Sequence, residues 1–208
     1  MQRRHCRLSL LHGFLGSPDD WEGVISHLPE FECQALAYPF KIPEDTVVVG
    51  YSMGGRIALK SAQPKILLSA HPGLKSPEEK ERRWKEDQCL VAKLRSEPFE
   101  KVLREWYDQP LFSTLKALPQ FEEIFARRCK QNPIELAEIL TKESLAHQTF
   151  SPVENAVFLH GQFDCKYAHL YRDLGLNSLE IPGVGHAAHL ENPKVCAHMI
   201  SEAVLRLA

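Results

Sequence analysis

No CxxC pair, no Cys/His group at zinc spacing and no long apolar run occurs in these 208 residues. The six cysteines, Cys6, Cys33, Cys89, Cys129, Cys165 and Cys196, are scattered. That argues against a structural zinc site and fits buried, reduced thiols, hence the cytoplasm. No metal and no cofactor is called for. No stretch is long and apolar enough to span a membrane. Near the N-terminus Arg3 and Arg4 precede Leu8-Ser9-Leu10-Leu11, a faint likeness to a signal peptide. The run is short and His12-Gly13 interrupts it, so neither secretion nor membrane insertion is expected. Neither charge sign is in excess: 25 Lys and Arg face 27 Asp and Glu, a net charge of -2, which gives no reason to expect nucleic acid. Internal repeats and low-complexity linkers are missing as well. A hydrophobic content of 44% with 25% charged residues fits one compact domain, residues 1–208, with a sizeable core.

The chain changes character twice. From Arg7 to about Ala70, short apolar runs alternate with polar helical stretches. Leu8 to Leu11, Gln34 to Ala37, Thr46 to Val49 and Ile66 to Leu68 read as buried strands. Thr46-Val47-Val48-Val49 is β-branched throughout, which suits a parallel strand covered on both faces. From Pro72 to about Phe150 the pattern is helical. Ser76-Pro77-Glu78-Glu79 combines a serine N-cap, a first-turn proline and a glutamate at the third position, and Asn132-Pro133-Ile134-Glu135 repeats this logic. Phe99, Val102, Leu103 and Trp106 follow helical spacing, and Pro98, Pro110, Pro119 and Pro133 divide the segment into several helices. Strand candidates return at Ala156–Leu159 and Ser178–Ile181, followed by a helix from Pro193 with Cys196, Met199, Ile200 and Ala203 on one face. The expected architecture is α/β: a mostly parallel sheet of about six strands, with a helical cap insertion at about 72–150.

The sharpest local signal is Gly50-Tyr51-Ser52-Met53-Gly54, a G-x-S-x-G sequence between the strand ending at Val49 and a helical stretch from Met53 to Ala62. In this setting the serine sits on a strained turn with its hydroxyl exposed, the nucleophile elbow of the α/β-hydrolase fold. The plain alternative is a glycine-rich turn with an inert serine. An oxyanion hole needs two backbone N–H donors. One falls to Met53, the residue after Ser52, and the other to Phe14, in the His12-Gly13-Phe14 turn that ends the first strand.

The chain order of this fold is serine, acid, histidine. The strand Ala156–Leu159 runs into His160-Gly161-Gln162-Phe163-Asp164, and a carboxylate just past a strand's end is where the histidine's partner belongs. Asp173 is the rival, but its helix-like neighbours favour solvent exposure. Pro182-Gly183-Val184-Gly185-His186 then places His186 on a glycine-rich loop as the base. His189, three residues on, reads as a capping or packing residue.

Leu11-His12-Gly13-Phe14-Leu15-Gly16, Gly50-Tyr51-Ser52-Met53-Gly54-Gly55-Arg56 and Gly185-His186-Ala187-Ala188-His189-Leu190-Glu191-Asn192-Pro193 closely resemble the 2-succinyl-6-hydroxy-2,4-cyclohexadiene-1-carboxylate synthase family of menaquinone biosynthesis, the MenH family. His71-Pro72-Gly73-Leu74 and Glu105-Trp106-Tyr107-Asp108-Gln109-Pro110 look like that family's cap. The resemblance implies a lyase that eliminates pyruvate from a succinyl-bearing, carboxylated cyclohexene, with the triad serine as a base and no acyl-enzyme. It places substrate carboxylates on Arg56, Arg83 and Arg128, and puts Tyr51, Trp106 and Tyr107 at the pocket. Two arginines have support of their own. Arg56 lies one helical turn after Ser52. Arg128 extends the apolar stripe Phe121, Ile124, Phe125, where a charge needs an anionic partner or a path to water. The snorkelling alternative for Arg128 stays open, and Arg83 is weaker, because Arg82 adjoins it on a helix charged all round.

The implied partner is a small, carboxylate-bearing anion, and nothing in the residues speaks to oligomeric state. Two other readings compete. One is a small carboxylesterase or thioesterase using Ser52 as a covalent nucleophile. The other is a non-catalytic binding module, against which the intact serine, acid and base argue. The stretch from Tyr38 to Thr46 departs from the family: it lacks the usual Pro-Gly-His-Gly turn and the connecting helix, which predicts a reduced fold with one sheet face exposed.

Overall fold

The computed structural model describes residues 6–150 and 153–207, so Arg3 and Arg4 of the signal-like stretch lie outside the described residues. Contacts divide the chain into two compact units, Met1–His71 with Val153–Ala208, and Pro72–Pro152.

In the first unit six strands form one sheet: β1 (Arg7–Leu11), β2 (Glu32–Leu36), β3 (Val47–Tyr51), β4 (Lys65–Leu68), β5 (Ala156–Gly161) and β6 (Ser178–Ile181). Every neighbouring pair is parallel, in the order β2-β1-β3-β4-β5-β6. Strand order therefore reverses at β1, and the crevice beyond the C-terminal ends of β1 and β3 is where such sheets bind ligands. The sheet centre is apolar on both faces: Val48, Val49, Ile66, Leu67 and Leu68 are fully buried.

Strand boundaries moved for physical reasons. Thr46 stands just outside the ladder, its hydroxyl 3.0 Å from Ser9 Oγ and donating to the Arg7 carbonyl at 3.1 Å. At its other end β3 continues to Tyr51, since Tyr51 still pairs with Leu68 of β4. The second strand starts two residues earlier than expected and ends at Leu36.

Helix α1 (Glu22–Ile25) follows β1, and α2 (Met53–Ala58) follows β3. The latter stops short of the expected Ala62. Lys60 and Ser61 donate to carbonyls three residues back, Ile57 and Ala58, a tightened last turn before Pro64. Residues 37–46 between β2 and β3 contain no helix, but the expected bare face is covered. Phe40 and Ile42 of that loop are half-buried on the cluster formed by Leu11, Leu36, Val48, Leu67, Phe158 and Tyr171.

The unit Pro72–Pro152 is helical: α3 (Pro77–Ser96), α4 (Phe99–Tyr107), α5 (Ser113–Lys116), α6 (Phe121–Arg128) and α7 (Pro133–Lys142). The capping box at α3 forms as expected, with Glu79 N–H donating to Ser76 Oγ and Ser76 N–H to Glu79 Oε2. At α7 Asn132 Oδ1 caps the Ile134 N–H, but Glu135 accepts from the Asn132 side-chain amide, so no second box closes. The turn that follows α7 is tied to α3 by Asp87, which is buried and accepts from Arg83 Nε at 2.8 Å and Ser144 Oγ at 2.6 Å.

The first unit ends with α8 (Cys165–Asp173), α9 (Ala188–Glu191) and α10 (Pro193–Leu207). On α10 Cys196, Ala197, Ile200 and Ala203 are buried, while Met199 is half-buried.

Candidate active site

Because all six strands run the same way, the residues that follow them gather at one edge of the sheet. Ser52 follows β3, Ser69 follows β4, Asp164 follows β5, and His186 follows β6. Ser52 has φ 49° and ψ -109°, a conformation that strains a residue with a Cβ and persists only when the surroundings hold it. Here its N–H donates to the Leu68 carbonyl at 2.9 Å and its carbonyl accepts from Arg56 N–H at 3.0 Å. Close backbone packing completes the turn. A Cβ on Gly54 would lie 2.5 Å from the carbonyl oxygens of both Leu11 and His12. Glycine there lets the start of α2, with Met53, press onto the end of β1, from which the Phe14 turn leaves. That turn is closed by Gly16 N–H donating to the Gly13 carbonyl at 3.0 Å.

The acid and base meet as a buried pair. His186 Nδ1 lies 2.8 Å from Asp164 Oδ2, with side-chain exposures of 3% and 0%. Ser69 Oγ donates to the same Oδ2 at 2.8 Å, and Tyr167 N–H donates to Oδ1 at 3.4 Å. Burial pushes the Asp164 pKa up, but hydrogen bonds and charge from His186, with the Ser69 and Tyr167 donors, outweigh it and leave it lowered. Asp164 is thus a carboxylate. It can only accept, so Nδ1 carries the proton and Nε2 is left with the lone pair a base needs.

Two features hold the His186 loop. The Glu191 carboxylate accepts from the N–H groups on either side of the histidine, Gly185 at 2.5 Å and Ala187 at 3.1 Å. A Cβ on Gly161 would lie 2.1 Å from the Gly185 carbonyl oxygen, so glycine there lets the Asp164 and His186 loops touch. The imidazole stacks on Tyr167 at 5.1 Å and lies 5.3 Å from Tyr51. His189 is buried, with its ring 4.8 Å from Trp21 and 4.3 Å from Tyr51, the packing role anticipated for it. Asp173 is exposed and pairs with Arg172.

Tyr51 is buried and Arg56 half-buried on the first turn after Ser52. In the helical unit Arg128 is 3% exposed, on the buried face of α6 with Phe121, Ile124 and Phe125, so it does not snorkel to the surface. Arg83 Nε is engaged by Asp87. Trp106 is half-buried, whereas Tyr107 is buried against Phe112, Phe121 and Phe125 at 5.2, 5.4 and 6.3 Å, part of that unit's core. Ser69, Tyr167, Tyr171 and Glu191 were not singled out from the sequence. Only Glu191 left a trace there, as part of the Gly185–Pro193 motif.

A strained serine at a strand–helix elbow and a buried Asp–His pair, in the order Ser, Asp, His along a parallel sheet, define an α/β-hydrolase-type centre. The alpha/beta hydrolase family model matches residues 4–199. The 2-succinyl-6-hydroxy-2,4-cyclohexadiene-1-carboxylate synthase of Escherichia coli O1:K1 / APEC is 34% identical, covering 89% of this chain and 88% of its own. That of Serratia proteamaculans is 31% identical, covering 90% and 88%. Among solved structures, MenH from S. aureus superposes with a TM-score of 0.83 over 99% of this chain and 95% of its own, at 20% identity. The chain belongs to the 2-succinyl-6-hydroxy-2,4-cyclohexadiene-1-carboxylate synthase family of α/β hydrolases.

Proposed function

We propose that this protein eliminates pyruvate from a succinyl-bearing, enolpyruvyl-substituted cyclohexene carboxylate to give 2-succinyl-6-hydroxy-2,4-cyclohexadiene-1-carboxylate, a step of menaquinone biosynthesis. The observation that carries this reading is identity of 34% over nearly the whole length of a relative of that name. The buried His186–Asp164 pair and the strained Ser52 fit it. Ser52 acts as the base. His186 Nε2 takes the hydroxyl proton while Ser52 Oγ removes a proton from the substrate, and Asp164 stabilises the resulting imidazolium. The electron pair left on the ring forms the new C=C bond as the C–O bond to the enolpyruvyl group breaks, and the departing enolate takes the imidazolium proton to become pyruvate, which returns His186 to its neutral form. The N–H groups of Phe14 and Met53 receive the negative charge that develops on a carbonyl oxygen. Arg56, Arg83 and Arg128 are the proposed carboxylate ligands, and Tyr51 and Trp106 the proposed pocket residues, whereas Tyr107 belongs to the core of its own unit. Since Arg83 Nε is held by Asp87, its contribution runs through the two terminal amino groups. The cytoplasm is the proposed setting, supported by the six free thiols.

The test pairs two assays on one preparation. Pyruvate release from the enolpyruvyl substrate is followed with coupled lactate dehydrogenase, and hydrolysis of a p-nitrophenyl ester panel is followed for a burst. Steady pyruvate formation with no trapped acyl-enzyme is expected. Rapid ester turnover with a burst and no pyruvate would move Ser52 to the role of covalent nucleophile.

A further inference from the structure

We propose that Ser69 is a positioning residue of this centre: its hydroxyl fixes the Asp164 carboxylate in the orientation that serves His186. The proposal rests on the Ser52–His186–Asp164 reading above. Ser69 is fully buried and has φ 46°, a backbone conformation that glycine holds without strain and serine does not. A serine at this point is explained by what its side chain does. Its Oγ lies 2.8 Å from Asp164 Oδ2, the same oxygen that receives His186 Nδ1 at 2.8 Å. With Oδ2 held by two donors and Oδ1 by the Tyr167 N–H, the carboxyl plane cannot rotate without breaking a bond.

The bend that aims the hydroxyl is itself fixed. Ser69 N–H donates to the Leu159 carbonyl of β5 at 2.8 Å. At the next residue the Tyr171 hydroxyl accepts from Ala70 N–H at 2.8 Å and donates to the Ala70 carbonyl at 2.9 Å. Tyr171 is fully buried on α8, the helix that Asp164 caps. One helix therefore anchors both the acid and the turn that orients it. The titratable groups facing Asp164 are His186 from its loop and Tyr167 and Tyr171 from α8. Ser69 is the non-titrating side-chain donor to this carboxylate.

Ser69→Gly separates positioning from structure, because it removes the hydroxyl and also relieves the backbone strain. Its kcat for pyruvate release should fall about tenfold, with KM within about twofold of wild type. Without this donor the carboxylate is more basic and holds the imidazole proton more firmly. The downfield NMR signal of the His186 Nδ1 proton, which reports its 2.8 Å bond to Asp164, should then shift, a signature that a merely structural role would not move. Ser69→Cys, a weak donor, should recover part of the rate, and Ser69→Ala should behave as glycine does in catalysis. Wild-type kcat with an unchanged His186 Nδ1 proton signal in Ser69→Gly would overturn the proposal. The same signal can be followed in Ser52→Ala protein, which needs no turnover. A Ser52→Ala variant that keeps wild-type turnover would instead remove the triad reading, and this proposal with it.

Discussion

At the Ser52 corner one strand, one turn and one helix start supply everything, within the run Gly50 to Arg56. At the Asp164 corner three separate segments supply the parts: Ser69 from the end of β4, Asp164 and Tyr171 from the start and body of α8, and His186 from its loop. The bond from Ser69 to Asp164 spans 95 residues of sequence, and those from Tyr171 to Ala70 span 101. The first corner is a local backbone device. Its strain is held by two adjacent strands and by glycines that let backbone meet backbone. The second is a tertiary device, in which a buried carboxylate keeps its charge only because donors from distant segments converge on it. A corner of the first kind is vulnerable at its own residues. A corner of the second kind is vulnerable wherever one of its anchors is changed.

The largest effects should come from deleting the reacting groups of either corner. Ser52→Ala and His186→Ala should each lower kcat/KM by about three orders of magnitude or more; Ser52→Ala should leave the thermal transition near that of the native protein, whereas His186→Ala, which strips a donor from the buried Asp164, should stay folded with a lower transition. Pyruvate release and circular dichroism on the same samples check this. A folded Ser52→Ala protein with near-normal turnover would show that the elbow is only a turn.

This contrast explains how much could be read in advance. The elbow was legible because its chemistry and backbone demands fall on consecutive residues, and His186 because a glycine-rich loop after a strand is an unusual place for a histidine. The parallel sheet was legible in its apolar β-branched runs. Ser69 was not, because Leu68-Ser69-Ala70 looks like any strand end until its φ is known. Tyr171 sits in the polar-looking run Tyr171-Arg172-Asp173, and its burial depends on α8 lying across the sheet. Smaller misreadings have the same cause. The end of α2 is set by a tightened turn before Pro64, and the cover for the β2–β3 connection comes from Phe40 and Ile42 in a loop with no regular pattern.

An intermediate effect should come from the helical unit, where Arg128 is the charged member of an otherwise apolar buried face. If it binds a substrate carboxylate, Arg128→Ala forfeits a charge-assisted bond, roughly 1.5–3 kcal/mol, and kcat/KM should fall about ten- to a hundredfold. Arg128→Lys should restore only part, since an ammonium lacks the planar two-point contact. Added salt should weaken substrate binding more in the wild type than in the alanine variant. Unaltered kinetics and salt response in Arg128→Ala would restrict carboxylate recognition to Arg56 and Arg83.

The smallest effect on rate, and the most direct test of the assembled corner, should come from Tyr171→Phe. The ring is fully buried and packs 4.9 Å from Phe158 and 5.7 Å from Tyr167, and phenylalanine keeps those contacts. What goes is the hydroxyl, leaving Ala70 N–H and carbonyl buried without it. Unmet buried backbone groups cost about 1–3 kcal/mol each, so a loss of about 2–6 kcal/mol is expected for the two, or about 4–24 °C in Tm for a chain of this size. The sign of the pH dependence is fixed by burial, which raises the Tyr171 pKa well above its usual value, with further contributions from the Tyr167 and Asp164 charges. A raised pKa means stability that is fully present below the unfolded-state value near 10 and drains away as pH rises beyond it. The wild type should therefore lose its advantage over Tyr171→Phe progressively above about pH 10, while the gap stays constant from pH 6 to 9. Urea unfolding at a series of pH values measures both. Catalysis should slip only severalfold, through a looser Ser69 and so a less firmly held Asp164. A Tyr171→Phe protein as stable as wild type at pH 7 would mean that the bend at Ser69 is held by its strand neighbours alone.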